Sequence, residues 1–219
     1  MEDINLKISG SSWTSWMENQ LDEGVSYFQY RGFYGVSGFD TGDIDDVNNG
    51  HKLPFATVLT CGTGSFAQES TCLSEKFLRA GSASNPRGAI AAVCTATGNT
   101  HTMFNNIIAM GIYDGLFPKN LGTAGAALAN GKLTLFSAYP TNPYHWVDAF
   151  TQWNSLMGDP ATHLWTDTPT VLSVIHPLVL PYGTNFVDIA VYDEDENPVE
   201  DAMVTLLMGD DIIFTSGYT

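Results

Sequence analysis

Cys61 is the residue of this chain best placed to do chemistry. It stands in Thr60-Cys61-Gly62-Thr63-Gly64, after the apolar run Pro54-Phe55-Ala56-Thr57-Val58-Leu59 and at the start of a glycine-rich turn. Beyond the turn, the stretch Glu69 to Arg79 carries Cys72, Leu73, Phe77 and Leu78 at helical spacing, with Ser70 as an N-cap. The pattern reads as strand, turn and helix, with a thiol at the carboxyl end of a buried strand. Open α/β sheets place ligands and reactive groups at that end. Gly62 frees the backbone beside the thiol, and N–H groups of the turn and of the helix start would favour a thiolate and an oxyanion. The bland alternative is a small buried hydrophobe, and that is how Cys72, in a helix, and Cys94, in a strand, read.

A cysteine nucleophile needs a base, most often histidine. His51 lies in the loop before the Cys61 strand, and His101 follows the strand at Gly88 to Thr95, so each is a candidate. His145, His163 and His176 read as surface or packing residues. Two rival readings of the turn fail on missing partners. Gly62-Thr63-Gly64-Ser65-Phe66-Ala67 fits a loose dinucleotide fingerprint, yet no acidic residue occurs between Glu75 and Asp114 to bind a ribose. A cysteine phosphatase loop needs a nearby arginine, and the first downstream is Arg79. The loop residues Asp40, Asp43, Asp45 and Asp46 form an oxygen-rich cluster that could hold calcium, though no glutamate closes it as in an EF-hand, and a solvated acidic loop is the plainer reading. No cofactor is required.

Those elements belong to a folded, strongly acidic chain. With 219 residues, 44% hydrophobic and 15% charged, it is long enough for a real core. A net charge of −16 argues against nucleic acid and anionic membranes, because both require basic groups to replace counterions. Lys132 is the last basic residue, and twelve carboxylates follow it. Three cysteines cannot all pair and lack zinc-ribbon spacing. No run is long and apolar enough to span a bilayer, and Met1 opens directly into polar sequence without a signal peptide.

Along the chain, strands are expected at Asp3 to Ile8, Val25 to Tyr30, Phe55 to Thr60 and Gly88 to Thr95. Helices are expected at Ser11 to Asp22, Glu69 to Arg79, Met103 to Phe117, Gly122 to Lys132 and Trp146 to Leu156, with a loop from Arg31 to Gly50. Alternating β and α with continuous apolar strands indicates a mostly parallel sheet covered on both faces. After Pro169 the pattern turns to short strands, at Val171 to Ile175, Asn185 to Tyr192, Ala202 to Leu207 and Ile212 to Thr215. The expected organisation is an α/β domain over 1–168 and an incomplete β-sandwich over 169–219.

Four ordered stretches resemble the catalytic domain of gingipain-type cysteine peptidases. They are Leu53-Pro54-Phe55 through Cys61, Cys72 through Ala80, Gly88 through Val93, and Trp153-Asn154-Ser155-Leu156-Met157-Gly158-Asp159-Pro160. The resemblance implies a caspase-like α/β fold with Cys61 at the nucleophile position, an immunoglobulin-like domain after it, and an extracellular or cell-surface setting. It also implies a protein or peptide substrate and an upstream part of the same protein that completes the fold. The family carries Gly-His-Gly at the end of a strand upstream of its cysteine. Here Arg31-Gly32-Phe33-Tyr34-Gly35 stands there, so Phe33 or Tyr34 holds the histidine position, depending on which glycine is matched. Neither accepts a thiol proton at neutral pH as imidazole does. Two functions follow: a cysteine endopeptidase using Cys61 with His51 or His101 as substitute base, or an inactive peptidase fold kept as a scaffold or binding module.

Overall fold

The computed structural model describes residues 4–68, 70–208 and 212–219. Asp3 and Glu69, each at the start of an expected element, lie outside the described residues. The chain divides into two compact units, Met1–Thr166 and Asp167–Thr219.

The first unit runs α1 (Trp13–Glu23), β1 (Tyr27–Tyr30), α2 (Thr41–Asp46), β2 (Phe55–Val58), α3 (Leu73–Arg79), a small β3–β4 hairpin (Gly81–Ser82 and Asn85–Pro86), β5 (Ala91–Thr95), α4 (Thr102–Leu116), α5 (Ala124–Ala138), α6 (Trp146–Trp153) and β6 (Asn154–Met157). The main sheet has the order β1-β2-β5-β6. β1 pairs parallel with β2 through Tyr27↔Phe55 to Tyr30↔Val58, and β2 pairs parallel with β5 through Phe55↔Ala91 to Val58↔Cys94. β6 closes the far edge antiparallel to β5. The two inner strands are buried along their whole length, which is why they read as unbroken apolar runs.

Alternation across the pleat sends successive side chains into two cores. Phe55, Leu59, Ala91 and Val93 join Phe104, Ile108 and Ile112 of α4, Leu135 of α5 and Phe150 of α6 on one face. Ala56, Val58, Ala92 and Cys94 join Leu21 of α1, Ile44 of α2 and Phe77 of α3 on the other. Fully burying a side chain such as Phe150 or Phe77 stabilises the fold by roughly 1.5–3 kcal/mol.

Several expectations change. Residues 4–8 run without a strand partner, and Ile4, Leu6 and Ile8 are exposed; period-two alternation makes no strand without a neighbouring ladder. The loop expected from Arg31 to Gly50 contains α2, a helix too short to show periodicity but held by reciprocal Asp40 and Asp43 caps. The helix expected through Leu156 ends at Trp153. From there the chain becomes β6, because Asn154 to Met157 find a free edge on β5.

In the second unit β7 (Ser173–Ile175) pairs antiparallel with β8 (Ala190–Tyr192), and β9 (Met203–Met208) with β10 (Ile212–Tyr218). Among the described residues these are two separate two-stranded ladders.

Candidate active site at the carboxyl end of the central strands

Cys61 stands three residues beyond Val58, the last residue of β2, and a short parallel bridge to Tyr34 extends the β1–β2 ladder past the strands' formal ends. The bridge fixes both segments. The Cys61 N–H donates to the Phe33 carbonyl at 3.4 Å, the Gly35 N–H donates to the Cys61 carbonyl at 3.0 Å, and the Thr60 hydroxyl donates to the Gly35 carbonyl at 2.7 Å.

The turn that follows is tied to the end of β5. Gly62 N–H donates to the Thr97 carbonyl at 2.8 Å and Gly64 N–H to the Thr95 carbonyl at 2.9 Å. The buried Thr63 hydroxyl donates to the Val58 carbonyl at 2.7 Å. Gly62 has φ +81°, a conformation that costs side-chain-bearing residues roughly 1–2 kcal/mol. At Gly64 a Cβ would come within 3.1 Å of Cys94. Glycine is needed at both places, at the first for the turn and at the second for close packing against β5.

Cys61 is buried, with 4% of its surface exposed. Its Sγ lies 2.7 Å from the Oγ1 of Thr100, on the loop after β5. The adjacent aromatics point differently. Tyr34 is paired with Cys61 through the backbone, and its ring lies over Gly62, where an added Cβ would meet it at 3.5 Å. Phe33 is 77% exposed.

Among the described residues the hydrogen-bond partner of the thiol is Thr100 and not a histidine. His51 is exposed and precedes β2, so it sits at the amino end of the strand whose carboxyl end bears Cys61. At about 3.3 Å per residue, β2 alone separates them by roughly 10 Å. His101 is beside Thr100 but serves as the N-cap of α4, its Nδ1 accepting from the Met103 N–H at 3.1 Å. With Nδ1 an acceptor, the neutral ring carries its proton on Nε2 and keeps no second lone pair for a thiol proton.

The oxyanion expectation also changes. The Cys61 N–H and the Gly35 N–H are both committed to carbonyls inside the bridge. The helix start expected near Ser70 comes at Leu73. Its first-turn groups are used locally: Cys72 N–H donates to the Glu75 carboxylate and Ser74 N–H to the Thr63 carbonyl.

The other two thiols are walled off. Cys94 is completely buried, and burial pushes its thiol up to about 12, partly offset by a hydrogen bond with Thr63. Cys72 is buried at the start of α3, its Sγ 3.2 Å from the Ser74 hydroxyl.

Three of the four aspartates read as a calcium cluster make other bonds. Asp40 and Asp43 cap α2, and Asp45 pairs with Lys76. Among the described residues no group of three or more His, Cys, Asp or Glu side chains is placed to hold a metal ion.

Two features were not legible beforehand. Thr100 gives no sequence signal, since a threonine in a polar loop is unremarked until the fold brings it to the thiol. The second is a buried amide network below the site. Asn154 donates to Asn105 at 3.1 Å and to the Phe150 carbonyl at 2.9 Å, and accepts from the Thr95 hydroxyl at 2.8 Å; Asn105 donates to the Leu59 carbonyl at 2.9 Å. Asn154 belongs to a quoted motif, but its role as the hub joining β6, β5, α4 and the end of β2 is visible only in three dimensions.

Comparison with known proteins agrees with this architecture. Residues 7–165 match the family described as Peptidase family C25. Gingipain R2 of Porphyromonas gingivalis is 24% identical over 180 residues, which is 76% of this chain and 23% of that protein. Gingipain R1 of the same organism is 25% identical over 167 residues, 70% of this chain and 16% of that protein. The crystal structure of the Arg-specific cysteine proteinase gingipain R superposes with a TM-score of 0.73 at 20% identity, covering 96% of this chain and 48% of that one. The complex of Porphyromonas gingivalis RgpB pro- and mature domains gives 0.75 at 20% identity, with 96% and 49% coverage. The chain therefore spans about half the length of these solved chains and a quarter or less of the curated relatives. The fold is the gingipain α/β fold with a mostly parallel sheet, and the chain belongs to peptidase family C25.

Proposed function

We propose that this chain is part of a gingipain-type domain that holds a peptide at the Cys61 face without cleaving it at an enzymatic rate. The observation that carries this reading is the environment of the thiol. The Cys61 Sγ is hydrogen-bonded to the Thr100 hydroxyl, and the strand position facing it bears Tyr34 instead of an imidazole. A threonine hydroxyl can orient a thiol but does not take up its proton at neutral pH. Losing general-base catalysis alone costs about 10²–10⁴-fold in rate. Engaged backbone donors at Cys61 and Gly35 remove a second contribution, since one oxyanion donor is worth about 10²–10³-fold.

A second reading, a slow cysteine endopeptidase, draws on the retained Cys61 at the strand end and on membership of a peptidase family. It requires His101 to leave its capping bond and reach the thiol as base. Under either reading the ligand is a protein or peptide, and the setting is extracellular or at the cell surface, as inferred from the family. The second unit is read as part of an immunoglobulin-like domain, and an upstream part of the same protein as the complement of the fold.

The test compares the full-length protein with its Cys61→Ala variant on a quenched-fluorescent peptide library at neutral pH. The expected result is equal, background-level cleavage by both, with peptide binding retained by both. Cleavage that disappears in Cys61→Ala overturns the binding reading in favour of the peptidase.

A further inference from the structure

On the α4 side of the sheet, at the carboxyl end of β1 and β2, the surface opens into a cleft of about 60 Å³. Its walls include Gln29 and Arg31 at the end of β1, Thr57 and Leu59 of the β2 segment, and Thr102 and Asn106 of α4. It adjoins the site through the chain itself: Leu59 is two residues before Cys61, and Thr102 is two after Thr100. A space of this size holds a group of a few heavy atoms.

The charge of the lining is the reverse of the chain's. The protein carries 24 acidic and 8 basic side chains. Yet the described residues lining this cleft include one cation, Arg31, and no carboxylate. The ion pairs formed among the described residues join Lys76 to Asp45, Lys119 to Asp114 and His145 to Asp148, and none uses Arg31. Its guanidinium, charged at any accessible pH, presents a planar fork that matches a carboxylate. The Gln29 and Asn106 amides and the Thr102 hydroxyl supply further donors from two walls. Asn105, also in the wall, is already spent on Leu59 and Asn154.

We infer that this cleft takes a carboxylate, the acidic side chain of a bound peptide, with Arg31 as its principal partner. The inference rests on the peptide-binding reading above and names the ligand class of that site. A basic side chain would meet the guanidinium with like charge, and a neutral amide would accept from it without forming an ion pair.

The test measures binding of capped pentapeptides, Ac-Ala-Ala-Xaa-Ala-Ala-NH2 with Xaa as Glu, Asp, Gln or Lys, to the full-length protein at low ionic strength. The Glu or Asp peptide is expected to bind about tenfold more tightly than the Gln peptide, a gain of the size a charge-assisted hydrogen bond gives, and Lys is expected to be weakest. Arg31→Gln is expected to abolish the Glu-over-Gln preference, and Arg31→Lys to restore part of it. Arg31 is exposed, so both variants are expected to unfold at the wild-type temperature. Binding without charge preference, or a preference that survives Arg31→Gln, overturns the carboxylate assignment and leaves the peptide-binding reading standing. No binding of any peptide overturns both.

Discussion

The sulfur of Cys61 and the hydroxyl of Thr100 meet at 2.7 Å although 39 residues of chain separate them. Neighbouring parallel strands cause the meeting. β2 and β5 end at the same level, so the residues just beyond each strand face one another. Thr100→Val removes the hydroxyl and keeps the shape. Iodoacetamide labelling of Cys61 at neutral pH is expected to change about fivefold, the size of a net hydrogen bond of about 1 kcal/mol. Thr100→Ser is expected to keep the wild-type rate. Labelling followed by peptide mass spectrometry reads both.

The buried amide network predicts a stability change with a functional echo. Asn105→Ala strips the Leu59 carbonyl of its side-chain donor and Asn154 of one of its two acceptors. A buried polar group left unsatisfied costs about 1–3 kcal/mol. A loss of at least about 2 kcal/mol is expected in urea unfolding monitored by tryptophan fluorescence. A loss within experimental error shows that water or a shifted neighbour replaces the amide.

Alkaline pH is expected to weaken the fold through two groups. Burial raises Cys94 from an ordinary value near 9 to about 12, and raises Tyr113 from near 10 to about 12. Both are neutral when protonated, and the folded state holds the proton more tightly than the unfolded one. Their contribution is therefore complete below the unfolded values and declines as pH rises from about 9 to about 12. The slope approaches 1.4 kcal/mol per pH unit for each group within its window. Denaturation midpoints at pH 8, 10 and 11 test this, and Cys94→Ala combined with Tyr113→Phe is expected to flatten the decline.

Gly62→Ala places a Cβ at φ +81° and against the Tyr34 ring. A stability loss of roughly 1–2 kcal/mol is expected. Because Gly62 anchors the turn to Thr97, Cys61 labelling is also expected to change. An unchanged labelling rate alongside lost stability indicates that the bridge to Tyr34 alone positions the thiol.

Much of this fold could be read from residue order. The inner strands announce themselves as apolar runs because both of their faces are covered, and α4 because a fifteen-residue helix repeats its pattern several times. What escaped was short or dependent on neighbours. α2 has a single buried residue, Ile44, and is defined by its caps. β6 exists because β5 offers an edge to Asn154-Ser155-Leu156-Met157, a fact about β5 and not about those four residues. At the site, the strand-turn setting of Cys61 and Gly62 was visible in order along the chain. Thr100, and the exclusion of His51 by strand direction, were not, since contacts across parallel strands leave no local trace. The cleft beside Arg31 likewise depends on which side chains of α4 face the sheet.

The turn carrying Cys61 is secured by backbone bonds to Thr95 and Thr97 and by the Thr63 hydroxyl, none of which involves an ionisable side chain. Scaffold and reactivity are thus separable inheritances. The position of the sulfur therefore does not depend on what stands at Phe33 or Tyr34 as a proton acceptor, because the bonds that hold the turn are backbone and hydroxyl bonds.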